Sequence, residues 1–215
     1  MDKFTVYRQL VERRKACRAC DRLDMTNPSV CDGGQYDTEH IGPWTQWQGR
    51  LDAELMVIGQ DWGSVKYYRD NRGTDDSANK TNANLKMLLA SVGYGLGDRL
   101  YFTNAVLCLK EGSMNERVKA GCFRNCGIGF LKPQIELVQP RVVVTLGRLA
   151  YRAVMHAYDR RPQASMRDAV KTHEVIGSST LFPMYHCGPL GTRSRSLVQQ
   201  KGDWERVRGV TAIST

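Results

Sequence analysis

The sequence lacks any apolar run approaching the ~18 residues that a membrane-spanning helix needs. Its opening stretch, MDKFTVYRQLVERRK, is charged and holds no apolar signal segment. These absences lead to the expectation of a cytoplasmic protein without membrane contact. No segment repeats and none is low in complexity. With 41% hydrophobic and 25% charged residues, the composition is that of an ordinary globular chain, which removes collagen-like, disordered and coiled-coil readings. Acidic residues are scarce: 22 Asp and Glu stand against 31 Lys and Arg, a net charge of +9. The scarcity is local. Residues 1–140 carry 19 basic and 17 acidic side chains, whereas residues 141–215 carry 12 and 5. A basic face of this kind suits a polyanion such as nucleic acid, and equally a solvated surface kept for solubility.

What is present is one domain's worth of alternating pattern, with expected boundaries at 1–50 (a first helix, a cysteine arm and an irregular segment), 51–197 (an α/β core) and 198–215 (a final helix and tail). Residues 4–15 read as a helix with Phe4, Val6, Tyr7, Leu10 and Val11 on one side. The Gly-, Pro-, Asn- and Gln-rich stretch 24–50 reads as irregular. Short apolar runs predict four strands: Glu54–Gly59, Leu100–Leu107, Arg141–Gly147 and Leu181–His186. Helical patterns lie between them, at 82–95, 116–138 and 148–158. A long polar segment from Asp61 to Thr81 reads as a loop. The expected fold is a three-layer α/β/α sandwich around a mainly parallel four-stranded sheet. In such sheets ligands bind beyond the carboxyl ends of the strands. The polar residues there are Gly59-Gln60-Asp61 after the first strand, Asn104 on the second and His186 at the end of the last.

Seven cysteines in a cytosolic chain are ligands, reactive thiols or core residues rather than disulfides. Cys17 and Cys20 form a C-x-x-C, Cys108 follows the second strand, and Cys122 and Cys126 share the next helix. Thiolate-only ligation suits an iron–sulfur cluster or zinc, and buried free thiols are the plain alternative.

Four motifs in order, GQDWG (Gly59–Gly63), TNAVLC (Thr103–Cys108), QPRVVVTLG (Gln139–Gly147) and HCGPLG (His186–Gly191), together resemble the uracil-DNA glycosylase superfamily over residues 17–197. GQD, NAVL and H-x-x-P-L are similar to the family 1 enzymes. The CRAC arm, TNAVLC and QIELVQPRVVVTLG are similar to the family 4 enzymes, which hold a [4Fe-4S] cluster. The resemblance implies hydrolysis of the bond between uracil and its sugar in single- or double-stranded DNA, leaving an abasic site at the start of base excision repair. It implies catalytic roles for Asp61, beside the sugar, and His186, at the leaving base. Gly59, Gln60, Gly63 and Asn104 would bind substrate, with Asn104 pairing to the base edge. Leu190 would wedge into the duplex, with Pro189, Arg193 and Arg195 as DNA contacts. The implied cluster ligands are Cys17, Cys20, Cys108 and Cys126. Cys122 stays open as the fourth ligand, and zinc on Cys17, Cys20, Cys122 and Cys126 as the other metal site.

The chemistry stands without the resemblance. A base must leave the stack before its bond to the sugar is cut. The sugar then gains positive charge and the base negative charge, so a carboxylate and a hydrogen-bond donor are the groups required. Each residue also has an ordinary role: an aspartate after a strand caps turns, a buried asparagine satisfies backbone, and a histidine at a strand end is structural. Two departures stand out. Trp62 and Gly63 replace the Pro and Tyr that follow GQD in family 1, which removes the side chain that crowds C5 and predicts excision of 5-substituted uracils too. Cys187 and Gly188 replace the usual Pro and Ser. Tyr67 and Tyr68, and less so Trp62, are the aromatics expected to stack on the base. No lysine stands at an evident nucleophile position, which predicts a monofunctional enzyme. A glycosylase for other deaminated bases (xanthine or hypoxanthine) and a non-catalytic binder of uracil-containing or abasic DNA are the alternatives.

Overall fold

A computed structural model describes residues 1–43, 47–74, 78–95 and 97–211. Parts of the irregular 24–50 stretch and of the Asp61–Thr81 segment, and the tail expected beyond 211, lie outside the described residues. The central sheet has five strands, not four, in the order β3-β2-β5-β7-β6. Strands β2 (Leu55–Gly59), β3 (Leu100–Asn104), β5 (Val142–Leu146) and β7 (Ser179–Met184) run parallel. The strand absent from the sequence reading, β6 (Glu174–Ile176), pairs antiparallel with β7 at the edge. It spans three residues, and its middle side chain, Val175, faces solvent, so it has no apolar run to betray it. A separate ribbon pairs β1 (Met25–Thr26) with β4 (Leu109–Lys110).

Successive strand residues point to opposite faces, and both faces are covered. Met56, Ile58 and Val143 pack with Tyr7, Leu10 and Val11 of α1 (Lys3–Ala16) and with α4 (Ala120–Cys126), α5 (Lys132–Val138) and α6 (Arg148–Ala157). Leu55, Val57, Val142 and Val144 pack with Leu85, Leu88 and Leu89 of α3 (Lys80–Ser91) and with Trp204 and Val207 of α9 (Leu197–Thr211). Between α4 and α5 the chain makes a π-helical turn over Gly127–Leu131, and Pro133 enters the first turn of α5. Phe4, expected on the buried side of α1, is instead exposed. The polar Asp61–Thr81 segment holds a short helix, α2 (Val65–Asp70), capped by Ser64, whose hydroxyl accepts the Tyr67 N–H.

The irregular segment after α1 is tied down by polar contacts. The Arg14 guanidinium is buried, pairs with both carboxylate oxygens of Asp37 at 2.7 Å and donates to the Thr38 and His40 carbonyls. Asn27 donates to the Arg14 and Cys17 carbonyls. No described helix is long and apolar enough to cross a membrane.

Candidate active site

Strand order places β3 on one side of β2 and β5 on the other, so consecutive connections diverge between β2 and β5. A crevice opens at such a switch point beyond the carboxyl ends of the strands. Gly59 closes β2 and pairs in register with Asn104, which closes β3 rather than lying within it. A Cβ on Gly59 would run into the Asn104 amide oxygen and approach the Phe102 ring edge at 3.5 Å. Glycine here is what makes room for a buried amide.

Asp61 follows directly. Its side chain is largely enclosed and well bonded: Oδ1 accepts the Gly63 N–H (2.8 Å) and Oδ2 accepts the Gln60 amide (2.7 Å). Lys110 lies 3.2 Å from Oδ1. Buried in the β1–β4 ribbon, this lysine also donates to the Met114 carbonyl, and its backbone N–H donates to the Gly63 carbonyl. That Lys110 stands beside the carboxylate is not visible from its sequence neighbours, because the ribbon that buries it joins residues 25–26 to 109–110.

His186 lies two residues past β7, in a cradle of three glycines. Cβ atoms on Gly147 and Gly188 would stand 3.3 Å from its Cβ and 2.8 Å from its Cε1, and one on Gly191 would strike its carbonyl. The Gly188 N–H donates to His186 Nδ1 at 3.0 Å. Nδ1 is therefore an acceptor, and the neutral ring carries its proton on Nε2. Burial pushes the imidazole below its ordinary 6.5, and the charge of Asp61 opposes that shift, so the two groups sense one another across the crevice. In this chain a side chain at 188 would crowd the ring.

The HCGPLG loop continues into α8 (Pro189–Ser194), where Leu190 and Arg193 are exposed. Arg195 is already engaged: it bonds both carboxylate oxygens of Asp203 and stacks on Tyr185. Of the expected aromatics, Tyr68 and Trp62 are buried in the core, and Tyr67 accepts a hydrogen bond from Asn79. Phe102 was missed. It stands two residues before Asn104, hence on the same face of β3, and is half-buried with its edge at the Gly59–Asn104 junction. That spacing of two was the available signal.

Thiols gather around that of Cys20. The Cys20 thiol interacts with those of Cys108, Cys126 and Cys122, and these contacts hold it well below the ordinary thiol range. Cys108 and Cys126 are pushed the other way, first by Cys20 and then by burial, and both sense Cys17; Cys122 is raised too, first by burial and then by Cys20. The Asn125 amide lies 3.7 Å from the Cys20 sulfur. Among the described residues no three His, Cys, Asp or Glu side chains stand as a ready metal-ligand group. The donor set is nonetheless all sulfur, drawn from three separate segments, and it suits a thiolate-only cofactor. Cys31 and Cys187 lie apart: Cys31 contacts Asp32 and Cys187 the Thr81 carbonyl.

A family model for the uracil DNA glycosylase superfamily matches residues 46–208. The chain is 27% identical to the type-5 uracil-DNA glycosylase of Pyrobaculum aerophilum, over 89% of this chain and 86% of that one. It is 23% identical to the type-4 uracil-DNA glycosylase of Archaeoglobus fulgidus, over 92% and 89%.

Proposed function

The chain belongs to the uracil DNA glycosylase superfamily, and on that premise we propose that it hydrolyses the N-glycosidic bond of uracil in DNA, releasing the base and leaving an abasic site. The observation that carries this reading is the hydrogen bond from the Gly188 N–H to His186 Nδ1. With Nδ1 occupied by the Gly188 N–H, the ring offers Nε2–H as a neutral donor. A donor of this kind stabilises the oxygen of a departing uracil as the bond's electron pair moves into the base. Asn104 pairs with the N3–O4 edge, Phe102 supplies the stacking face, and the extruded base is read from both sides. Asp61 has both oxygens held, so its position is set before substrate arrives. It stabilises the cationic sugar and directs the water that attacks C1′, taking up the proton that water loses.

Leu190 fills the space the base vacates, with Pro189 setting the turn and Arg193 on a backbone phosphate. Arg195 supports that loop through Asp203 rather than touching DNA. A [4Fe-4S] cluster on Cys17, Cys20, Cys108 and Cys126 fits the all-sulfur donor set, and bound there it would supply a structural crosslink between the amino-terminal arm and the core. The expected unit is one domain from residue 1 to 215. The enzyme is monofunctional in this reading: the Lys110 ammonium is taken by the Asp61 carboxylate and the Met114 carbonyl.

Excision from single- and double-stranded oligonucleotides with one uracil tests the proposal. Release of free uracil, lost in Asp61→Ala and with no borohydride-trapped adduct, is the expected result. Binding without turnover, or an undiminished Asp61→Ala enzyme, overturns it.

A further inference from the structure

Gly63 adopts φ +95°, a left-handed conformation, and leaves no side chain above the carboxylate that its N–H holds. The space is nevertheless filled. From the connection between β4 and α4, Met114 places its sulfur 2.9 Å and its methyl carbon 3.1 Å from where a Gly63 Cβ would stand. The placement is fastened at several points. The Ser64 N–H donates to the Met114 sulfur (3.2 Å). The Met114 carbonyl accepts the Lys110 ammonium (2.5 Å), which also reaches Asp61. The thioether is thus fixed to the very loop that carries Asp61, while 44% of the residue remains exposed on the open side.

We propose that Met114 is a specificity-determining residue whose thioether walls the C5 edge of the bound base. The inference rests on the uracil reading above. A uracil with O2 toward His186 and its N3–O4 edge toward Asn104 turns its C5–H to the remaining side, over Gly63. The gap left by a residue without a side chain is closed from a distant part of the chain. A thioether on rotatable bonds is an adaptable wall: it yields partly to a small substituent and resists a larger one. Lys110 acts here as a positioning residue, through the Met114 carbonyl.

The test compares kcat/KM on oligonucleotides carrying uracil, 5-hydroxymethyluracil or thymine, for the wild type, Met114→Ala and Met114→Leu. One missing side-chain segment in a base pocket changes discrimination by roughly 10–200-fold. Met114→Ala is expected to raise the 5-substituted-to-uracil ratio at least tenfold, and Met114→Leu, of similar bulk, to hold it within about threefold. Lys110→Met, which removes the donor from the carbonyl, moves the same ratio upward, a change that mere loss of stability does not produce. Intact uracil excision with an unmoved ratio in Met114→Ala overturns the wall alone. A wild type that releases none of the three bases overturns the uracil reading, and the wall with it.

Discussion

Gly188→Ala is the sharpest probe of the site, because glycine is required there for space and not for backbone freedom. Its φ of −76° is open to any residue. An added Cβ would stand 2.7 Å from Thr81 Oγ1, 2.8 Å from His186 Cε1 and 2.9 Å from His186 Nδ1. Carbon contacts are comfortable from about 3.5 Å, so the imidazole must give way by roughly 0.6 Å. It has little room to retreat, since Gly147 backs its Cβ and Gly191 its carbonyl. The ring therefore swings, carrying Nε2 off line and weakening the bond to the 188 N–H. Misplacement of about 1 Å costs about 10²-fold, so roughly tenfold or somewhat more is expected here, in kcat rather than KM. Overpacking of this size costs about 1–2 kcal/mol, a melting shift of only a few degrees in a chain of this length. Single-turnover excision beside thermal melting separates the two effects. A Gly188→Ala protein with the wild-type rate would refute the assignment of His186 as a ring held by its glycine cradle.

Acid tolerance provides the next check. Burial holds the folded His186 below 6.5, so its stabilising contribution is whole above that value and is lost as pH falls from 6.5 toward the folded one. Excision should stay level through pH 6.5 and decline only on the acid side, and ring-proton NMR of Asp61→Asn should show His186 titrating lower still, since the opposing charge is gone. In the metal site, Cys17→Ser, Cys20→Ser, Cys108→Ser or Cys126→Ser should each lose iron and absorbance near ~400 nm, while Cys31→Ala and Cys187→Ala keep both; a colourless, zinc-bearing wild type would exclude the cluster. Asp37→Ala leaves the buried Arg14 charge without its carboxylate and should cost ~3–5 kcal/mol by denaturant unfolding, still as a single transition. Two separated transitions would contradict the single-domain reading.

The parallel core was legible because β2, β5 and the Leu181–Met184 part of β7 are largely apolar and buried, with Gly59 closing β2, Gly147 directly after β5 and His186 two residues after β7. The polar strand ends followed from the same pattern, and they are the residues that meet in the crevice. What was hidden has physical causes. Strand β6 and helix α2 are too short to show a period. Phe102 is less conspicuous than the loop aromatics, although its spacing of two from Asn104 puts it on the same face of β3. Lys110 and Met114 could not be placed from sequence at all. An isolated lysine reads as a surface residue until a remote strand buries it, and a methionine in a polar connection has no pattern. Arg195 looked like a phosphate contact because its partner, Asp203, lies in a helix that the motif does not include.

That helix bears on how the protein would fail under stress. Gln200 donates to the Arg195 carbonyl at 2.9 Å and reaches the His186 carbonyl at 3.5 Å, and Asp203 clasps Arg195, so the backrest of the HCGPLG loop is α9, the last described helix. The helix is held by side-chain contacts: Trp204 is fully enclosed, Arg206 grips the carbonyls of Val170 and Thr172, and Arg141 holds that of Val210. An outer helix opens more readily than the buried strands it covers. The amides of residues 186–195 would therefore exchange with solvent in step with α9 and ahead of β5, and warming would unseat the histidine while the sheet is still intact.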